Sequence, residues 1–144
     1  MVVYNTRREA ELTLSRKEQI ELTRFVGGVR GFVCLHISGC RPENWHEYHD
    51  VSGGSWITGT STNPSYGQFT VNISDSGHIC SAGIRDFITN DELYIELGLN
   101  TGNQVIMAAD LGGQMYPMTL TRFFGNGKVF QTTWVAFSRL CFSN

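Results

Sequence analysis

The stretch Leu93-Tyr94-Ile95-Glu96-Leu97-Gly98-Leu99-Asn100-Thr101-Gly102-Asn103-Gln104-Val105-Ile106-Met107-Ala108-Ala109 decides the fold class. Leu93, Ile95, Leu97 and Leu99 fall on one face, Asn100 to Asn103 is a turn, and Val105, Met107 and Ala109 run back. A period of two broken by turn residues is the signature of paired strands. The same grammar continues on both sides. Phe69, Val71 and Ile73 alternate, Ser74-Asp75-Ser76-Gly77 turns, and His78 to Ala82 returns. After a turn at Gly112-Gly113, Met118 to Phe123 follow Pro117, placed where its missing N–H does least harm. Gly125-Asn126-Gly127 carries a strong hairpin signal before a last strand from Lys128 to Phe142, whole or broken near Ser138. With Phe32 to Ile37 as the first, about seven or eight strands pack most naturally as a mainly β, antiparallel two-sheet sandwich of jelly-roll type. Its expected core holds Leu93, Ile95, Leu97, Val105, Met107, Leu120, Val129 and Val135.

The N-terminal segment reads differently. Ser15-Arg16-Lys17-Glu18 has the form of a capping box, and the run to Val26 ends at Gly27-Gly28, which predicts a short helix over Arg16 to Val26. A hairpin is the competing reading, because Leu12 and Leu14, then Ile20 and Leu22, alternate with polar residues. Residues 1–31 are expected to be a connector or oligomerisation segment, and 32–144 the β-sandwich domain.

Composition limits what the chain can do. The 144 residues carry 17% charged side chains and a net charge of −2, well below the usual charge density of a soluble domain. Residues 1–31 hold six basic and four acidic side chains and the remainder five and nine, so no basic face stands ready for nucleic acid. The first residues are too charged for a secretory signal, and no stretch approaches the roughly 18 apolar residues that span a bilayer. Cys34, Cys40, Cys80 and Cys141 are sparse and irregularly spaced, which favours free thiols over a disulfide framework.

Two groups of residues could carry chemistry. Cys34 and His36, like His78 and Cys80, are two apart on a strand, and if the two strands were neighbours these four donors could meet in the tetrahedral set that zinc prefers. The spacing matches no standard zinc pattern, and isolated cysteines are commonly small buried hydrophobes; no cofactor is expected, with zinc as the alternative. The second group lies in the irregular stretch from Cys40 to Pro64, interrupted at most by a short strand over Ser55 to Thr58. Trp45, His46, Tyr48, His49 and Trp56 supply aromatic faces beside hydrogen-bonding groups, as a ligand-binding loop would. The competing account places the tryptophans in the core or in a subunit interface. His46-Glu47-Tyr48-His49 lacks the histidine spacing of a helical zinc motif, and no glycine turn forms a phosphate loop.

No catalytic signature emerges, and the chain is expected not to be an enzyme. Low charge and Thr/Ser/Asn/Gln-rich faces lead to the expectation of a binding and assembly module, such as the receptor- or glycan-binding head of a viral or phage particle, built as a homo-oligomer with a trimer favoured. A small virus-encoded inhibitor acting by protein–protein binding is the alternative, and a small Cys/His-dependent or metal-dependent enzyme the third.

Overall fold

Ser15 caps the helix that the sequence predicts. Its hydroxyl accepts the backbone N–H of Glu18 at 3.4 Å, while the Glu18 carboxylate accepts the Ser15 backbone N–H at 2.7 Å. This reciprocal arrangement satisfies donors that the first helical turn leaves free. The computed structural model describes residues 1–5, 14–36 and 44–134. In chain order they form β1 (Val2–Tyr4), α1 (Arg16–Gly27), β2 (Gly31–Leu35), α2 (Tyr48–Ser52), β3 (Gly54–Ser55), β4 (Gly67–Ile73), β5 (Phe87–Asp91), β6 (Gly98–Leu99), β7 (Gln104–Leu111), β8 (Gln114–Phe124) and β9 (Gly127–Thr132).

The chain is mainly β. Seven strands form one curled sheet in the order β1-β2-β9-β8-β7-β4-β5, and β3 pairs with β6 in a separate two-stranded ribbon. Two facing antiparallel sheets are not what the described strands build. β1, β2 and β9 run parallel, with Val3 opposite Val33 and Val33 opposite Phe130, and only the other pairings of the sheet are antiparallel. Residues 1–31, expected as a connector, supply an edge strand and the helix that crosses from β1 to β2. Parallel strands need such a crossover, whereas hairpins do not.

Packing explains the helix further. Val26 is fully buried with Phe32, Cys34, Trp45, Tyr48 and Val129, and Leu22 packs against the same cluster. Phe25, on the same helix, stays exposed under the Arg30 guanidinium at 5.7 Å. Gly127 is required where α1 meets β9: a Cβ there would fall on the Val26 carbonyl oxygen. The β8–β9 hairpin has a two-residue loop with Gly125 at φ 57, the position that a type II′ turn reserves for glycine.

The alternating row that opened the sequence reading departs from expectation. Leu93 is buried, but Ile95 and Leu97 are half-buried and Leu99 is exposed. Glu96 adopts φ 53, which breaks the extended run and leaves only Gly98–Leu99 as strand. Met107, Leu120 and Val129 are buried as expected, Val105 is half-buried, and Val135 lies outside the described residues. His78 to Ala82 is a series of turns in place of a returning strand. There Ser81 donates its hydroxyl to the Asp75 carbonyl and Gly77 N–H donates to Asp75 Oδ1 at 3.0 Å, so the turn closes on itself. The partners of β4 are β5 and β7.

Candidate functional site at the carboxyl ends of the parallel strands

Parallel strands bring their carboxyl ends to one edge of the sheet, the usual place for ligands in folds with such strands. β2 ends there at Leu35, and His36 leaves it with φ 45. For a residue other than glycine the left-handed region costs about 1–2 kcal/mol. Such strain persists where surrounding structure holds it in place, and sites of function are where it concentrates. The curl of the sheet then delivers an acidic partner. His36 Nε2 stands 3.4 Å from Oδ1 of Asp91, the buried last residue of β5. That carboxylate oxygen also accepts the backbone N–H of Glu92 at 2.8 Å, which fixes its position.

Aromatic side chains wall the pair. The Tyr94 ring stacks on the imidazole, with centroids 5.7 Å apart and planes at 29°, and its hydroxyl donates to Glu92 Oε2 at 3.1 Å. Trp56 meets Tyr94 edge-on at 5.9 Å. Trp56 is placed by the ribbon before it. The Gly54 carbonyl accepts from the Gln131 amide at 3.2 Å and from the Ser52 hydroxyl at 2.9 Å, and His49 Nδ1 lies 2.9 Å from Ser55 Oγ. The result is an imidazole whose Nε2 makes no hydrogen bond among the described residues, with a buried carboxylate beside it and flat apolar faces next to further oxygen acceptors.

The residues expected to bind a ligand divide. Trp56 belongs to this site. Trp45 and Tyr48 do not offer a surface, because both are fully buried, with rings 5.0 Å apart, and Tyr4 packs against them at 6.0 and 5.7 Å. Their stretch is irregular in sequence, yet α2 folds it inward so that Tyr48 and Val51 reach the core. His46 is exposed, and His49 is half-buried against the ribbon. Outside the site, Arg16 clamps Glu47 with two hydrogen bonds of 2.7 and 2.5 Å, and this partner holds the carboxyl down at about 2.

The four expected zinc donors are also separated. Cys34 faces the core, where burial pushes its thiol up to about 12. His36 faces Asp91. His78 lies 3.4 Å from the Thr121 hydroxyl and accepts the Cys80 N–H at 3.1 Å, beside a largely apolar cavity of about 390 Å³, and Cys80 is exposed. Among the described residues no group of three or more His, Cys, Asp or Glu stands close enough to hold a metal ion. Sequence reading missed Asp91, Glu92 and Tyr94 altogether, since no spacing links them to His36.

Comparison with known proteins places this architecture. No curated protein matches the sequence. Among solved structures, a ThuA-like protein from Parabacteroides merdae ATCC 43184 is similar with a TM-score of 0.76 and 16% identity, over 95% of this chain and 60% of that one. A ThuA-like protein from Bacteroides uniformis ATCC 8492 gives 0.67 and 12%, over 91% and 58%. A β-galactosidase from Bacillus circulans sp. alkalophilus gives 0.62 and 17%, over 91% of this chain but 20% of that one. The chain thus spans 60% and 58% of the length of the two ThuA-like structures, and at these identities the likeness is one of fold. The model of the ThuA family, described as trehalose utilisation, matches residues 1–134. This overturns the reading as a viral or phage receptor-binding head, with its virus-encoded alternative. The Thr and Gln faces that prompted it are in part interior, since Thr89, Thr119, Gln131, Thr132 and Thr133 are buried. With the family match running through β1, the β-α-β unit and β9, the chain belongs to the ThuA family.

Proposed function

We propose that this chain acts in the utilisation of trehalose or a related sugar, and that its working site is His36 with Asp91, a proton-transfer pair for a sugar substrate. The observation that carries the reading is the 3.4 Å approach of a strained, strand-end histidine to a buried carboxylate under an aromatic wall. The family description supplies the substrate class. Aromatic faces suit the apolar side of a pyranose ring, and the Glu92 carboxylate can accept its hydroxyls. In this arrangement His36 moves the proton and Asp91 orients the imidazole and balances its charge when protonated, the division of labour of histidine–carboxylate pairs in general.

A second reading is that the site binds a sugar without changing it, in line with the expectation from sequence. One observation favours it: Cys34, the thiol two residues before His36, is buried and held protonated, so no reactive thiolate stands beside the imidazole. One experiment separates the two. Proton NMR of trehalose incubated with the protein should show new sugar resonances under the first reading, and only broadened or shifted ones under the second. Asp91→Asn should slow any turnover by about 10²- to 10⁴-fold if the pair transfers protons. Trehalose spectra left unaltered by the protein would remove both readings.

A further inference from the structure

We infer that this chain has a second sugar-ring subsite beyond Tyr94 from the His36 pair, in the cavity bounded by Tyr94, Glu96, Leu97, Gln114, Tyr116 and Pro117. The inference rests on the proposed sugar site and names the part of a disaccharide that would lie outside it. The cavity has a volume of about 170 Å³. Tyr94 belongs to both places, since it stacks on His36 and also lines this cavity. Neither His36 nor Asp91 lines the cavity, so Tyr94 is the side chain that links the two places, and a two-ring substrate with one ring at the imidazole would reach past it to set the other ring here.

The lining has the chemistry that a neutral pyranose needs. Tyr94, Tyr116 and Pro117 offer flat apolar faces, while the Glu96 carboxylate and the Gln114 amide offer acceptors and donors for hydroxyls. A charged ligand is a poorer match, because the lining holds one carboxylate and no cation. Glu96 is also held in place by its backbone. It holds φ 53, a conformation that glycine would adopt without strain, and its carbonyl is pinned by the Ser61 hydroxyl at 2.7 Å. Among the described residues no side chain donates to its carboxylate, so its acceptors remain open to a hydroxyl.

The test compares trehalose with glucose by titration calorimetry on the intact chain and on two variants. Tyr116→Ala removes a lining ring; Glu96→Gly removes the carboxylate at a position whose backbone suits glycine, and so keeps the fold. The wild type should bind trehalose about tenfold more tightly than glucose, through the contacts of the additional ring. Both variants should lose that preference while glucose affinity and thermal midpoint hold. Equal affinity for the two sugars in the wild type, or an unchanged preference in folded variants, overturns the subsite and leaves the His36 site standing. Binding of neither sugar overturns the site and the subsite together.

Discussion

His36 Nε2 and Asp91 Oδ1 meet at 3.4 Å although β2 and β5 stand five places apart in the sheet. In a flat sheet five strand spacings would separate them by about 24 Å. The pair therefore exists only because the sheet curls, and it joins the parallel end of the sheet to its antiparallel edge. Such a contact could serve as a structural clip or as a site, and the two roles differ in what a substitution does.

Asp91→Asn keeps the shape of the side chain and its acceptor for the Glu92 N–H, and removes the charge. The expected outcome is a change of at most about 1 kcal/mol in stability by urea unfolding, together with loss of sugar turnover or weaker sugar binding. A pure clip gives the opposite pattern: a lower unfolding midpoint, with sugar response retained by the folded fraction.

Trp45→Ala should destabilise the protein by about 3–5 kcal/mol, the usual cost of emptying a buried aromatic site. Its ring is fully buried against Tyr4 and Tyr48, so a cavity is left among side chains held by two strands and α2. Thermal unfolding by circular dichroism reads the effect, and a midpoint close to that of the wild type would place the ring at the surface after all. Trp56→Ala, at the half-buried site wall, should affect sugar binding more than stability.

These two tryptophans show how far the sequence could be read. Local signals are legible: the Ser15–Glu18 capping box, the Gly125 hairpin and the alternation of β4 each depend on neighbours within a few residues, whereas β7 is buried continuously from Ile106 to Ala109 across a bulge. The pairing of Phe32 with Val129 and the meeting of His36 with Asp91 depend on chain segments far apart, and no local pattern encodes them. The short strand Val2–Tyr4 and the five-residue helix Tyr48–Ser52 were lost for a related reason, as each is held by the core it completes more than by its own propensity. Low charge invited a reading of the Thr and Gln faces as a receptor surface, whereas several of those side chains are buried partners of one another, such as Thr119 with Thr132 at 3.3 Å.

Gly127→Ala should be among the most damaging single substitutions in the chain. The added methyl would occupy the position of the Val26 carbonyl oxygen, and the contact is backbone on backbone, so no rotamer change relieves it. Either α1 moves off the sheet or β9 loses its register with β2. Little soluble, cooperatively folding protein is expected on expression, while Gly112→Ala, at the exposed β7–β8 turn where a Cβ would meet nothing, should cost only the strain of its φ of 65°. Equal yields and midpoints for the two variants would show that the α1–β9 contact is looser than described.

Cys34 gives the last prediction. Burial against the aromatic core raises its thiol from 9.0 to about 12, with a hydrogen bond to Tyr48 as a smaller opposing influence. A group whose folded value is raised contributes stability that is fully present below its unfolded value and is lost as pH climbs to the folded one. Stability should accordingly fall between about pH 9 and 12 and recover part of its alkaline tolerance in Cys34→Ala, whose smaller side chain lowers the starting midpoint. Near neutral pH the thiol should resist alkylation in the native state, while the exposed Cys80 reacts, and peptide mapping by mass spectrometry after a brief iodoacetamide pulse distinguishes the two. Labelling of Cys34 as fast as Cys80 would mean that the core around Tyr4, Trp45 and Tyr48 opens readily, and the carboxyl end of β2 would then be too loosely held to position His36.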